Sequence, residues 1–158
     1  MQSKLKNMTD SVFSEYLKTA IPNYAHDNIE SGRWAEKGAI ERSSKDHKRL
    51  LPQGTKTDNN YLFEIISKNR DCSVGILWVA VEENYGIKTA FIYDIEVKKA
   101  YRRKGYARSA LIELERFAND LNIHNIGLHV FRQNRSAQAL YNSLGYNVVS
   151  TNMVKSIA

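Results

Sequence analysis

A chain of 158 residues, 42% of them hydrophobic, is long enough to build one compact domain around a real core, and a 25% charged fraction with only 2 prolines excludes a disordered chain. The single cysteine, Cys72, excludes an internal disulfide and leaves no thiol partner for a zinc site, so no metal is expected. The opening MQSKLKNMTD has no apolar stretch of signal-peptide length, and no later window approaches a membrane span. These features predict a cytoplasmic protein with no membrane partner, organised as one domain over residues 1–158.

The net charge of +6 suits a nucleic-acid binder, a membrane-surface protein or a protein that handles a polyphosphate ligand. Distribution separates these. Cationic side chains concentrate between Lys98 and Lys104, with Arg108 one helical turn later. Such a focus points to a compact anion.

In chain order, a short strand is predicted around Lys4 to Asn7. Thr9 or Asp10 then caps a helix whose apolar positions Val12, Phe13, Tyr16, Leu17 and Ala20 recur at helical spacing. Pro22 suits the first turn of a second helical segment ending near Ser31-Gly32, and a further helix is predicted from Glu36 to Leu51. A polar loop from Pro52 to Asn60 follows. Tyr61 to Ser67, Val74 to Val81 and Thr89 to Val97 are rich in β-branched and aromatic residues and read as three antiparallel strands. Lys104 to Leu121 returns to helical spacing, Ile126 to Phe131 is a strand, and Arg135 to Leu144 is a helix closed by Gly145 as a left-handed cap. Tyr146 to Ser156 is predicted as a last strand. The class is α/β with a mixed, mostly antiparallel central sheet flanked by helices on both faces.

The informative stretch runs from Ile95 to Arg108, where a strand gives way to a basic loop and a helix begins at Gly105. Backbone N–H groups at a helix start lack internal partners, and the helix dipole adds roughly half a positive charge there, so main chain can bind a pyrophosphate. Glycine permits close approach, and Arg102, Arg103, Lys104 and Arg108 supply neutralising charge.

Arg102, Gly105 and Ala107 resemble the Q/R-x-x-G-x-G/A signature of GNAT acetyltransferases. Downstream, Asn134, Ala137, Leu140, Tyr141 and Gly145-Tyr146 are similar to the N-x-x-A-x-x-L-Y-x-x-x-G-F/Y run of the same superfamily. The resemblance is good from Phe91 to about Val149 and rests on element order alone before that. It implies an N-acetyltransferase using acetyl-CoA, with the loop holding the pyrophosphate and the main chain of Ile95 to Val97 pairing with the pantetheine. The implied cofactor-binding set is Ile95, Val97, Arg102, Arg103, Lys104, Gly105, Tyr106, Ala107, Arg108 and Asn134. The acceptor is an amine on a small molecule or peptide, and the assembly a monomer or homodimer.

Acetyl transfer needs a neutral amine, a stabilised oxyanion and a proton for the departing thiolate. The resemblance assigns Tyr141 as general acid, against the plainer reading of a half-buried core tyrosine. Candidates for the base stay open. Strand alternation puts Asp94 and Glu96 on one face, with Phe91, Tyr93, Ile95 and Val97 on the other. His129 lies where several GNAT enzymes acting on protein amino termini carry a catalytic glutamate, from which this chain departs; a water chain is a further route. Glu96 and Asp94 also read as carboxylates balancing Lys98, Lys99 and Arg102. Trp34, Trp78, Phe63 and Tyr93 read as core or pocket wall, since nothing spaces them as a base-stacking platform. Two other classes compete: a coenzyme A sensor without turnover, and a basic nucleic-acid module, which leaves Gly105 and the Asn134 to Tyr146 pattern unexplained.

Overall fold

The structure is a computed structural model and describes residues 2–157. Its elements are β1 (Ser3–Asn7), α1 (Asp10–Glu30), α2 (Ala39–Leu50), β2 (Asn60–Ser67), β3 (Cys72–Asn84), β4 (Ile87–Val97), α3 (Tyr106–Asp120), β5 (Ile126–Leu128) and α4 (Arg135–Ser143). The strands lie side by side in chain order, β1-β2-β3-β4-β5. The first three pairings are antiparallel, β2–β3 and β3–β4 through short turns and β1–β2 across the long excursion through α1 and α2, whereas the α3 crossover makes β4 and β5 parallel.

Period-two alternation sorts the sheet's side chains into two cores. Leu62 and Trp78 face α1 and α2, where they meet Tyr16, Ala20 and Leu51. Phe63, Ile65, Leu77 and Val79 face the other way, onto Leu111, Leu114 and Ala118 of α3 and Tyr141 of α4. Helices therefore cover both faces of a mixed sheet, as the sequence predicts. The Thr9 hydroxyl accepts from Val12 N–H at the start of α1, and Gly145 takes a φ of +91° after α4.

Three expectations fail, each for a local reason. Pro22 does not begin a new helix but sits inside the continuous 21-residue α1. The carbonyl that loses its donor belongs to Lys18, an exposed residue, so water can take the missing bond. The strand expected from Ile126 to Phe131 pairs only over Ile126–Leu128, because β4 turns away beyond Ile92. Tyr146 to Ser156 forms no strand; β-branched composition favours a strand only where a neighbouring strand accepts it, and none lies alongside.

Candidate active site

β4 and β5 run together over three residue pairs, Ala90 with Ile126, Phe91 with Gly127 and Ile92 with Leu128, and then part. The separation begins at a bulge. On β3, Trp78 pairs with Asp94 and Val79 with Ile92, so Tyr93 is an extra residue with no partner. This corrects the simple alternation read from the sequence. Tyr93 and Phe91 join Asp94 and Glu96 on the α1 side, where Tyr93 stacks on Trp78 at 4.7 Å and meets Phe91 edge-on at 5.0 Å. Ile95 and Val97 stay on the α3 side, in the second core. Gly75 makes the close approach of β3 and β4 possible, since a Cβ there would lie 2.2 Å from the Glu96 carbonyl oxygen.

The wedge opens into a cleft of about 1220 Å³ bounded by β4 from Phe91 to Val97, by residues 128–131, and by the starts of α3 and α4. Its two ends differ in sign. At one end are Arg102, Arg103, Gly105, Ala107 and Arg108. Gly105 precedes α3 with a φ of +86°, a conformation that side chains disfavour. The first intrahelical bond runs from Ser109 N–H to the Gly105 carbonyl, so the N–H groups of Tyr106, Ala107 and Arg108 are left for another acceptor. Arg102 donates through Nε to the Val97 carbonyl at 2.8 Å and lies 3.7 Å from Glu96, which fixes the loop to the end of β4. The Arg108 guanidinium donates to Ser143 Oγ, joining α3 to α4.

Some predicted residues sit differently from their neighbours. Lys104 is outside the cleft wall, its carbonyl accepting from the Gln2 amide at 2.8 Å. The Tyr106 ring is buried, with its hydroxyl 3.0 Å from Ser67 Oγ, so its main chain is the part presented at the helix start. Ile95 and Val97 likewise commit their side chains to the core. Asn134 caps α4 by accepting from Ala137 N–H, which leaves its amide group for a further contact.

The other end is aromatic and acidic. Tyr16, Tyr24, His47, Trp78 and Tyr93 line it together with Asp27, Asp46, Glu82 and Asp94. Tyr93 donates to Glu82 at 2.6 Å and Tyr16 donates to Asp94 at 2.5 Å. Burial pushes the Asp94 carboxyl up to about 6, against the opposing effect of the Tyr16 hydrogen bond. Asp27 is also raised by burial. Between the ends stands Tyr141, only 9% exposed, its hydroxyl pushed up to about 12 by burial and then by the Asp94 charge. It is therefore a protonated donor at neutral pH. His129 is held below its ordinary value by burial and by Arg33, and so is neutral there. Glu96 is half exposed and paired with Arg102. Tyr141, Glu96 and His129 thus share one cleft, with Asp94 the most deeply buried carboxyl among them.

Sequence reading missed Tyr16, Asp27, His47 and Gly75. A glycine inside an otherwise β-rich run was the available signal for Gly75, whereas nothing local marks Tyr16 as more than a helix's buried stripe. Phe63 and Trp34 do not reach the cleft: Phe63 packs on Phe117 and Trp34 on Tyr24. Trp78 and Tyr93 do form its wall.

A bare helix start beside a parted strand, joined to a second compartment through a protonated tyrosine, is the layout of an acyl-transfer site. The sequence model of the Acetyltransferase (GNAT) family matches residues 27–146. Two Bacillus subtilis (strain 168) proteins described as uncharacterized N-acetyltransferases are similar over nearly the whole length. YdgE is 33% identical across 99% of both chains, and YycN 32% identical across 99% of this chain and all of its own. The crystal structure of YycN superposes with a TM-score of 0.92, covering 99% of each chain. AAC(6')-Iy in complex with a CoA bisubstrate analogue has the same fold at 12% identity, with a TM-score of 0.60 and full coverage of this chain and 99% of the other. The chain belongs to the GNAT acetyltransferase family and is an acyltransferase. Among the described residues no helix is long and apolar enough to cross a membrane.

Proposed function

We propose that this enzyme transfers the acetyl group of acetyl-CoA directly to the primary amine of a cationic acceptor. The observation that carries the reading is the bipolar cleft: arginines and a bare helix start at one end, carboxylates and aromatic rings at the other, and Tyr141 between. Acetyl-CoA, which the family uses, supplies the activated acyl group as a thioester.

The residues fit that cosubstrate. The N–H groups at the start of α3, with Arg103 and Arg108 beside them, suit a pyrophosphate. The unpaired edge of β4 from Tyr93 to Val97 offers main-chain donors and acceptors for an amide-bearing arm, and an N–H of this edge supplies the oxyanion contact. Asn134 adds an amide at the mouth of the wedge.

In the reaction the amine nitrogen forms a bond to the acyl carbon and the carbon–sulfur bond breaks. The Tyr141 hydroxyl gives its proton to the departing sulfur and recovers one from the nitrogen, which sheds its second proton on becoming an amide. The ammonium of the acceptor must first lose a proton, and Asp94 is the favoured destination, since a carboxyl raised to about 6 is ionised yet basic at neutral pH. Glu96 and His129 take part less directly in this reading, Glu96 through its pairing with Arg102 and His129 as a neutral wall residue. Asp27, Asp46 and Glu82, set among Tyr24, Trp78 and Tyr93, favour an acceptor that carries positive charge on an apolar or planar stem.

The test joins calorimetric titration with acetyl-CoA to mass-spectrometric detection of acetylated products from a panel of amines, spanning diamines, arylalkylamines, amino sugars and peptides. Binding together with acetylation of cationic members supports the proposal. Tight binding with no product on any amine would instead make the domain a coenzyme A sensor, and absence of binding would remove the cosubstrate assignment.

A further inference from the structure

The buried residues of α2 are Ala39, Ser43 and His47, set four apart on one stripe of the helix. Two of the three are polar, and a buried polar group is costly unless something bonds it. Ser43 is satisfied: its hydroxyl donates to the Ile21 carbonyl of α1 at 2.7 Å. His47, only 8% exposed, is satisfied on one side alone, where its Nδ1 lies 2.8 Å from the Ser43 carbonyl oxygen. A carbonyl only accepts, so in the neutral ring the hydrogen sits on Nδ1 and Nε2 is left as a bare acceptor. Nε2 bonds nothing among the described residues. Among those residues the side-chain polar atoms both sealed and unpartnered are Asn28 Oδ1, Gln133 Oε1 and the Tyr146 hydroxyl. Nε2 is unpartnered but not sealed, so it opens to the cleft that the ring lines.

The surroundings of that nitrogen are aromatic. Tyr24 meets the imidazole edge-on at 5.8 Å, and Trp78 lies 5.9 Å away with Tyr93 stacked on it. These rings hold the imidazole in place and put flat apolar surface beside it. In such a setting one hydrogen bond discriminates well, because a ligand that fails to make it leaves the nitrogen unpaired and shielded from water.

We propose that His47 is a specificity-determining residue: its Nε2 accepts a hydrogen bond from a hydroxyl or N–H group on the stem of the acceptor, away from the amine that is acetylated. The inference rests on the reading that this end of the cleft takes the acceptor, and it narrows the acceptor to amines that carry a second donor. The Ser43 carbonyl sets the tautomer, and the Ser43 hydroxyl ties that turn of α2 to α1, so the imidazole is presented from a fixed position.

The experiment compares matched amines by calorimetry at pH 8 with coenzyme A present, so that affinity is read without turnover, and in parallel by product formation from acetyl-CoA. The pairs are tyramine against phenethylamine and 5-aminopentanol against pentylamine. In at least one pair the hydroxylated member should bind about tenfold more tightly. His47→Asn keeps a donor toward the Ser43 carbonyl and loses Nε2, whereas His47→Gln loses that donor and keeps an amide group near the place of Nε2. The preference should vanish in the asparagine variant and survive in part in the glutamine variant, with affinity for coenzyme A unchanged in both. The reverse order would make His47 a structural tie within α2 and overturn the proposal. Equal affinities within both pairs, in a parent that acetylates them, would overturn it too while leaving amine acetylation standing. A parent that prefers the hydroxylated member but yields no product would uphold the contact and count against transfer.

Discussion

The two ends of the cleft are built in opposite ways. The end proposed to bind the anion comes from a stretch of 14 residues, Ile95 to Arg108, and offers main chain: a helix start, a parted strand and a glycine at positive φ. The end proposed for the acceptor draws on α1, α2, β3 and β4 and offers side chains, with Tyr16, Asp27, His47, Trp78, Glu82 and Asp94 brought together from across 79 residues. A ligand common to a whole family can be held by backbone geometry that many sequences satisfy. A ligand particular to one enzyme has to be held by side chains, and those come from wherever the fold can place them.

The sharpest way to break this contrast is at Gly105. Gly105→Glu places a carboxylate where a pyrophosphate is expected and forces a side chain into a φ of +86°, with Gln2 Oε1 3.2 Å from the new Cβ. Affinity for acetyl-CoA should fall at least about 100-fold by calorimetry, roughly 2.7 kcal/mol. Amines measured on the same variant should bind as before. Loss of both together would mean that the two ends are not separable. Next in size is Tyr141→Phe, which removes one oxygen from a packed ring. With the general-acid proton gone, kcat should drop about 100-fold while KM for acetyl-CoA moves little. An unchanged kcat would return Tyr141 to the role of a core residue.

This asymmetry also explains what could be read in advance. The mixed sheet, its helices on both faces and the segment from Ile95 to Arg108 were legible because each rests on local pattern: alternation, helical spacing, and a glycine where the chain must turn without a side chain. The Tyr93 bulge was not legible, since it depends on register between β3 and β4, and it reverses which residues share a face with Asp94. Tyr16 was legible only as part of a buried stripe; its bond to Asp94 joins residues 78 positions apart. The strand expected after Gly145 shows the same limit from the other side, because composition can mark a strand but cannot supply its partner.

Asp94→Asn sharpens the comparison by setting activity against stability. In the folded chain burial raises this carboxyl from its ordinary 3.8 to about 6. Ionisation therefore opposes folding: the penalty is absent below about pH 4 and fully present above about pH 6. A rise of that size costs the folded chain about 3 kcal/mol at most. The asparagine variant, which can still accept from Tyr16, should melt higher than the parent at pH 7.5 and no higher at pH 4. If Asp94 receives the proton, kcat falls about tenfold at pH 7.5, and the loss of parent activity below pH 6 disappears from the profile. A variant that gains stability but keeps the acidic limb would shift the base to Glu96, His129 or water.

The smallest effect is expected at Arg102, although it begins the R-x-x-G-x-A pattern. Its Nε is already committed to the Val97 carbonyl, and the side chain is 53% exposed beside Glu96. Exposure leaves its charge screened, so the electrostatic contribution to holding an anion is modest. Its larger contribution is to fix the end of β4 against the loop. Arg102→Lys keeps the charge and loses the planar Nε donor, whereas Arg102→Gln loses the charge and keeps a donor of similar length. If tethering dominates, the lysine variant should raise KM for acetyl-CoA by about threefold while the glutamine variant stays near the parent, and added salt should hardly change either ratio. If charge dominates, the lysine variant should match the parent and the glutamine variant should lose affinity in a way that salt abolishes. Comparing the two separates main-chain recognition from charge at the end of the cleft that is built mostly of main chain.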